Sequence, residues 1–299
     1  MNVGVIMGGI SSEREASIKI GEDIINNIDK SKYSVKEIVI NNKDDIYKYI
    51  DKIDFAFLAL AGEFGEDGKI QSILESYDIP YSGCGVLSSA ICMNKDFTKS
   101  RLSNYGINTP RWIAIKSMKD IDFITIHEIG YPIVVKPNNG GSSIDTFLVN
   151  NDEELKEKVC SIIQDYKCAI IEEYISGKEY SVFVLNGYPF TPIHINSDGI
   201  YDYKDKYISD NEIKYIEKLD TNNENNLKLI SKRCWDLLDC EVYARVDIIL
   251  KDNKPYVLEV NTLPSLSKGS LIDKIIDYEN IEMKDLLDNI INLSLMKNK

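Results

Sequence analysis

Two apolar runs near the C-terminal end of the chain, Tyr243–Leu250 and Tyr256–Thr262, each carry a pair of polar residues at alternate positions. The pairs are Arg245 with Asp247 and Glu259 with Asn261. Alternate residues of a β-strand point to the same face, so each pair shares one face of its strand. The polar stretch 251–254 between the runs is typical of a turn. The sequence therefore predicts a hairpin on which the two polar pairs lie side by side.

The residue types on this hairpin face predict a metal site next to phosphate. Carboxylate and amide oxygens are hard ligands of the kind that Mg²⁺ prefers, and phosphate oxygens complete its shell. The predicted ligands are Asp247, Glu259 and Asn261. Arg245 beside them places a planar, permanent positive charge where negative charge would develop. The alternative interpretation is a pair of edge strands with solvated polar faces.

Length, charge and cysteine usage narrow the class of protein. A chain of 299 residues suits two or three domains and buries a sizeable core. Its net charge of −13 argues against nucleic acid or an anionic membrane as the main partner. No apolar run approaches the length of a membrane span, and the N-terminus does not resemble a signal peptide. Six cysteines without C-x-x-C spacing predict reduced thiols, as in the cytoplasm.

The order of predicted elements indicates a mixed α/β (α+β) protein. Near the N-terminus, predicted strands at 3–7, 35–40 and 55–61 alternate with helices, which is typical of a parallel sheet with helices on its faces. The pattern restarts near residue 94. Further strands are predicted at 112–115, 131–136, 169–172, 180–185 and 190–194, and helices at about 96–105, 152–165, 224–238 and 283–296.

Lys136 ends an apolar strand and is followed by a Gly- and Ser-rich turn at 138–143. Backbone N–H groups of such a turn can fold over phosphate oxygens, and the lysine adds a point charge. Lys95 at a helix start offers a second cation. A P-loop is disfavoured because no G-x-x-x-x-G-K-[ST] motif occurs, and an ordinary surface turn is the alternative. We interpret the acidic Gly-rich stretch Gly62–Gly68 as a structural turn bordering the site.

Taken in order, eight motifs of the chain resemble those of the D-alanine–D-alanine ligases, a family of the ATP-grasp superfamily. The motifs are Gly8-Gly-x-Ser-x-Glu-Arg-Glu15, Gly65-Glu-Asp-Gly68, Lys136-Pro137, Gly141-Ser-Ser143, Glu172 to Glu179, Tyr201-Asp-Tyr-x-x-Lys-Tyr207, Arg245-x-Asp247 and Glu259-x-Asn-Thr-x-Pro264. The resemblance implies an ATP-grasp fold of three domains, at 1–93, 94–184 and 185–299. It also implies ATP-dependent condensation of two D-alanines through an acyl phosphate, for peptidoglycan synthesis, by a cytoplasmic homodimer.

The resemblance also implies a role for each matching residue. For ATP it implies Lys95, Lys136, Ser142 and Ser143 at the phosphates, Glu172, Glu173, Tyr174 and Ile175 along the adenine, Glu179 at the ribose and Lys206 at the transferred phosphate. For catalysis it implies Glu13 at the ammonium of the first D-alanine, Ser142 in the closing loop, Tyr207 on a mobile lid, Arg245 with the Ser265 N–H at the oxyanion, and Ser270 at the second carboxylate. For metal it implies two Mg²⁺, with Mn²⁺ as an alternative, on Asp247, Glu259 and Asn261.

The chain departs from the family pattern in several places around the substrate and lid. Ala61 stands where histidine is usual, Asn94 for Asp, Asp145 for Gly and Glu173 for Lys, and 264–267 reads Pro-Ser-Leu-Ser instead of Pro-Gly-Met-Thr. Two alternatives therefore stay open beside the D-alanine ligase. One is a paralogue that uses another second amino acid such as D-serine, and the other is a nucleotide-binding protein without ligase activity. A nicotinamide-dependent dehydrogenase is disfavoured because the G-x-G-x-x-G turn is absent.

Overall fold

The computed structural model describes residues 1–141, 144–195 and 219–297, and these form three separate sheets. The N-terminal sheet is parallel, with strand order β2-β1-β3. Its strands are β1 (Asn2–Gly8), β2 (Ser34–Ile40) and β3 (Phe55–Leu58). The predicted parallel sheet is confirmed, although the third strand ends at Leu58 and not at residue 61. Residues 59–61 instead lead into the acidic Gly-rich loop, and the Ala59 N–H donates to the Ile6 carbonyl at 2.9 Å.

Helices surround the sheets and mostly begin at residues that cap them. They are α1 (Arg14–Asn27), α2 (Lys69–Ser76), α3 (Val86–Met93), α4 (Lys95–Asn104), α5 (Phe123–Ile129), α6 (Asp152–Tyr166), α7 (Thr221–Leu237), α8 (Leu271–Tyr278) and α9 (Met283–Lys297). The oxygen of Asn94 accepts from the N–H of Phe97 and caps α4. Asparagine caps a helix as well as aspartate does, so Asn94 in place of the family's usual aspartate keeps the local structure.

The central sheet is antiparallel, with strand order β4-β7-β5-β6. Its strands are β4 (Trp112–Ile115), β5 (Ile133–Pro137), β6 (Phe147–Val149) and β7 (Ala169–Glu173). Helix α6 packs on one face and buries Leu155, Val159 and Ile162 against it. The other face, which carries Lys136 and Glu172, is turned toward the site.

The C-terminal sheet is also antiparallel, in the order β10-β8-β11-β12, with β9 paired to β8. Its strands are β8 (Lys178–Leu185), β9 (Tyr188–Pro189), β10 (Ile193–Ile195), β11 (Tyr243–Lys251) and β12 (Lys254–Asn261). The strand predicted at 190–194 is therefore displaced to 193–195. The predicted domain boundaries at 93/94 and 184/185 remain predictions.

Apolar packing connects the two ends of the chain. One buried cluster contains residues of β1 and α1 together with Leu286, Leu287, Ile290 and Ile291 of the C-terminal helix. A second cluster joins α7 to the strands β8, β11 and β12 and includes four cysteines. None of the helices within the described ranges is long and apolar enough to cross a membrane. The N-terminal and C-terminal parts are therefore held together by a shared core.

Candidate active site

The predicted hairpin is present and its register brings the two polar pairs together. Arg245 lies opposite Asn261, and Asp247 lies opposite Glu259. The two-residue turn has positive φ at both Asp252 and Asn253, as tight hairpin turns require. A β-bulge follows Asp247, and it aligns residue 248 with 257 on the partner strand. The prediction that the four polar residues share one region of the hairpin is confirmed.

Asp247 is the centre of the hydrogen-bond network on this face. Arg245 donates two hydrogen bonds to its carboxylate, from Nε at 2.9 Å and from an Nη at 2.7 Å. Ser181 of β8 donates to the same group at 2.5 Å, and Asn261 donates through Nδ2 at 3.1 Å. Asp247 is buried, so these donors replace the water that a carboxylate would otherwise need. The network therefore fixes the side chains of Arg245 and Asp247.

The donor set fits a cation that is also held by phosphate. Asn261 uses its amide nitrogen for Asp247, so its amide oxygen is the atom that could coordinate. Glu259 Oε2 lies 3.3 Å from Lys95 Nζ, at the edge of the same face. Within the described ranges, no three His, Cys, Asp or Glu side chains are grouped to hold a metal by themselves. Two carboxylates and an amide could therefore supply part of a shell that phosphate oxygens would complete.

A cavity of about 330 Å³ lies between the central and C-terminal sheets. All the predicted nucleotide residues that the structure describes line it: Lys95, Lys136, Glu172, Glu173, Tyr174, Ile175 and Glu179. Asp247 and Glu259 line its floor. The predicted Ser142, Ser143, Lys206 and Tyr207 lie outside the described residues. Apolar walls from Val134, Ile249 and Leu258 give this cavity a surface on which a flat ring can pack.

Two lysines bring positive charge to the cavity. Lys136 Nζ lies 2.5 Å from Glu172 Oε1, and Lys95 Nζ donates to the Gly140 carbonyl at 2.5 Å. Burial lowers the pKa of Lys136, but the nearby carboxylates of Glu172 and Glu259 outweigh it and raise the pKa above its ordinary value. Lys136 therefore stays an ammonium group at neutral pH.

A second cavity of about 60 Å³ adjoins the first one and shares lining residues with it. The shared residues are Lys95, Gly140, Gly141 and Glu259. Its other walls include Glu13, Ala61 and Arg245, and Ser265 lies at its edge. Glu13 is buried at the start of α1. A group held between Glu13 and Arg245 would therefore lie next to the phosphate end of the larger cavity.

Glu66 is a site residue that the sequence interpretation missed, because we assigned its whole loop a structural role. It lines the smaller cavity and accepts a hydrogen bond from Gly62 N at 2.8 Å. Burial, and next the charge of Glu13, raise the pKa of Glu66 to about 8. The alternating glycine and acidic residues of 62–68 are the sequence signal for a loop that packs tightly against a neighbouring segment. Glu66 therefore presents a carboxyl group that is protonated at neutral pH and faces the same space as Glu13.

Two hydrogen bonds, one from the loop after β1 and one from α1, hold this region in place. Ser11 Oγ donates to the Ala61 carbonyl at 2.6 Å, and Ser17 Oγ donates to the Ala59 carbonyl at 2.8 Å. A β-carbon on Gly62, which has φ of +72°, would come within 2.6 Å of Glu13. The loop that carries Glu66 is therefore closely packed against the loop that carries Glu13.

Two further predicted positions have a local explanation in the structure. Asp145, which replaces the usual glycine, has φ of +55°, a conformation that glycine adopts most easily. Its carboxylate accepts a hydrogen bond from the Tyr166 hydroxyl at 2.7 Å, which helps to hold this conformation. Ser270 is the N-cap of α8 and accepts from Asp273 N at 3.2 Å. Ser270 lines neither cavity, whereas Ser265 lines the smaller one.

Comparison with known proteins gives the same family over the whole chain. Models of the D-ala D-ala ligase N-terminus and C-terminus match residues 43–84 and 102–292. D-alanine–D-alanine ligase B of Clostridium perfringens is 46% identical over 299 residues, covering 99% of both chains. The D-alanine–D-alanine ligase of Clostridium botulinum strain Langeland is 44% identical over 296 residues, again covering 99% of both. The chain belongs to the D-alanine–D-alanine ligase family.

Solved structures agree with this assignment and show the ATP-grasp fold. The D-alanine–D-alanine ligase of Bacillus anthracis complexed with ATP has a TM-score of 0.89 at 38% identity, covering 100% of this chain and 98% of that one. The VanG D-Ala:D-Ser ligase of Enterococcus faecalis has a TM-score of 0.83 at 25% identity, with 98% and 99% covered. This ligase family member therefore has its larger cavity between the two sheets that define an ATP-grasp fold.

Proposed function

We propose that this protein joins two D-alanine molecules to D-alanyl-D-alanine at the expense of ATP, for peptidoglycan synthesis. The observation that carries the proposal is the junction of the two cavities at Lys95 and Glu259. The larger cavity supplies two lysines and an apolar slot that suit a nucleotide, and the smaller one supplies carboxyl groups and an arginine that suit an amino acid. An amino-acid carboxylate would therefore meet the terminal phosphate of ATP at this junction.

The first step would form an acyl phosphate in this water-poor space. The carboxylate oxygen of the first D-alanine attacks the γ-phosphorus, the bond to the bridging oxygen breaks, and ADP leaves. Lys95 and Lys136 would balance the phosphate charge during this transfer. Mg²⁺ bound by Asp247, Glu259 and Asn261 would neutralise the phosphate oxygens, with two ions implied and Mn²⁺ as an alternative. The protein contributes positioning and charge, and not a nucleophile of its own.

The second step would form the peptide bond. The free amine of the second D-alanine attacks the acyl carbon, the tetrahedral intermediate collapses with cleavage of the bond from the acyl carbon to the phosphate oxygen, and the phosphate leaves with the proton that the amine gives up. Arg245 lies on the wall of the smaller cavity, where its guanidinium can stabilise the oxyanion. Glu13 would hold the ammonium group of the first D-alanine. Ser270, Lys206, Tyr207, Ser142 and Ser143 keep the roles that the family resemblance implies, as parts of this proposal.

The similarity among relatives favours D-alanine over D-serine as second substrate. The two clostridial relatives named D-alanine–D-alanine ligase are 46% and 44% identical, whereas the D-Ala:D-Ser ligase is 25% identical. The ion-paired hairpin and the buried lysines also suit an active ligase better than a nucleotide-binding protein without activity. We further propose that the protein is cytoplasmic, because D-alanine and ATP are metabolites of that compartment, and that it forms the homodimer that the family resemblance implies.

A phosphate-release screen tests the proposal. The protein is incubated with ATP, Mg²⁺ and each of a set of D- and L-amino acids, and the products are identified by mass. We expect phosphate release and D-alanyl-D-alanine with D-alanine alone, and no release with L-alanine. Faster release with a D-alanine and D-serine mixture, together with the mixed dipeptide as main product, would support the paralogue instead. Absence of release with every amino acid, while ATP still binds, would show that ligase activity has been lost.

A further inference from the structure

Lys99 is a buried lysine that the proposed chemistry does not use. It lies on α4, its side chain is 1% exposed, and it lines neither cavity. Its ammonium group lies 2.8 Å from Glu172 Oε2, donates to Thr109 Oγ1 at 2.8 Å and to the Pro110 carbonyl at 3.3 Å. The Trp112 ring lies 5.5 Å away on another side. Burying a charged group is unfavourable unless it is paired and hydrogen-bonded, and Lys99 is both.

Glu172 is shared between this hidden lysine and a lysine that faces the cavity. Lys136 contacts its Oε1 at 2.5 Å and Lys99 contacts its Oε2 at 2.8 Å. Burial raises the pKa of Glu172, but the two ammonium groups outweigh it and hold the pKa below its ordinary value. Burial lowers the pKa of Lys99 to about 8, against the pull of Glu172, so at pH 7 it is still charged. The cluster therefore contains two positive charges and one negative charge.

The position of the surplus charge follows from which members reach the cavity. Glu172 and Lys136 line it, whereas Lys99 lies behind Glu172. If Glu172 were paired with Lys136 alone, the pair would be neutral toward a ligand. We infer that Lys99 is a positioning residue for nucleotide binding, because it neutralises Glu172 from behind and leaves the Lys136 ammonium charged toward the phosphates of ATP. This inference rests on the proposed ATP site and goes further by assigning a role to a residue that no ligand touches.

A purely structural role for Lys99 makes a different prediction. If the lysine only fills space beside Trp112, its loss would weaken the binding of every ligand in the cavity, or lower stability, without regard to ligand charge. If it acts through Glu172, its loss would affect phosphate-bearing ligands and spare those without phosphate. Removing Glu172 as well would then remove the effect. Ligand charge and a double-variant cycle therefore separate the two roles.

The experiment measures dissociation constants of ATP and adenosine for the full-length protein by displacement of a fluorescent adenine nucleotide at pH 7. The variants are Lys99→Met, Lys99→Gln, Glu172→Gln and the double variant Lys99→Met with Glu172→Gln. Lys119→Met, at an exposed lysine, is the matched control. Thermal melts accompany each variant. Lys99→Gln keeps a hydrogen-bond donor for Thr109 and serves if Lys99→Met does not fold.

We expect Lys99→Met and Lys99→Gln to weaken ATP binding at least tenfold and adenosine binding less than threefold. The control variant should bind both ligands as the unaltered protein does. In the double variant the ratio of the two dissociation constants should return to that of Glu172→Gln alone. Equal weakening of ATP and adenosine, or a loss of ATP preference that persists in the double variant, would overturn the inference. Failure of the unaltered protein to bind ATP would instead contradict the proposed function, so the two failures are distinguishable.

Discussion

The carboxyl group of Glu66 makes the stability of the ligand-free protein depend on pH, and Glu66→Gln removes that dependence. Glu66 Oε1 accepts a hydrogen bond from Gly62 N at 2.8 Å in the smaller cavity. Burial and the neighbouring Glu13 raise its pKa from 4.5 to about 8. A glutamine keeps the accepting oxygen and the shape of the side chain but cannot ionise.

The sign and the size of the effect follow from proton linkage. Between pH 4.5 and 8 the folded protein keeps a proton on Glu66 that the unfolded chain has lost, so its free energy of unfolding falls as pH rises. The fall is at most about 1.4 kcal/mol per pH unit, or about 5 kcal/mol over the whole window. Glu66 is only partly buried, so solvent screens part of this effect. We therefore expect about 2 kcal/mol to be lost between pH 5 and pH 8.

Urea unfolding of the ligand-free protein and of Glu66→Gln, at pH 5, 6, 7 and 8, measures this difference. The free energy of unfolding of Glu66→Gln, relative to that of the unaltered protein, should rise by about 2 kcal/mol across the series. Glu63→Gln is the matched control, because Glu63 belongs to the same loop but is exposed and forms only surface ion pairs with Lys43 and Lys69. An advantage of Glu66→Gln that stays constant within about 0.5 kcal/mol from pH 5 to pH 8 would refute the reasoning.

Three further predictions concern catalysis. Glu259→Gln, which keeps the shape but removes a charge facing metal and phosphate, should lower kcat by orders of magnitude with an unchanged melting temperature, and near-normal turnover would contradict the metal assignment. Ala61→His should lower the first-site KM for D-alanine at least severalfold, because a charge-assisted hydrogen bond is worth roughly 1.5–3 kcal/mol; no change, or loss of activity from crowding, would show a site rebuilt around alanine. Dipeptide, and not depsipeptide, should be the product at neutral pH, and a preference for D-lactate over D-alanine, seen by mass spectrometry, would contradict this; the rate of dipeptide formation should rise toward alkaline pH because the attacking amine must lose its proton.

The hairpin was predictable because its signals are local. The alternation that pairs Arg245 with Asp247 and Glu259 with Asn261 needs only the two-residue period of a strand, and the polar turn sets the register. The strand that carries Lys136 near its end and the capped helix that follows Asn94 are local in the same way. Such features survive in a single sequence because each depends on a few neighbouring residues.

The parts that could not be predicted depend on contacts between distant segments. Ser181 reaches Asp247 only because β8 pairs with β11, and nothing near Ser181 in the sequence indicates that pairing. Glu66 looks like a solvated acid in a turn, and only the packing of its loop against the loop of Glu13 makes it a partly buried one. From the sequence, Lys99 belongs to a polar helix face, yet the central sheet covers it. Burial of a charged side chain is a property of the assembled core.

Lys95 shows how these distant segments are combined into one site. Its backbone N–H donates to the Asn138 carbonyl, its ammonium group donates to the Gly140 carbonyl, and the same ammonium lies 3.3 Å from Glu259. The start of α4, the turn after β5 and the end of the hairpin therefore meet on one side chain. Because Lys95 lines both cavities, the charge proposed to orient the terminal phosphate would also border the space for the amino-acid carboxylate. In the proposed reaction this single cation would bring the two reacting groups together, which would favour phosphoryl transfer to a carboxylate over transfer to water.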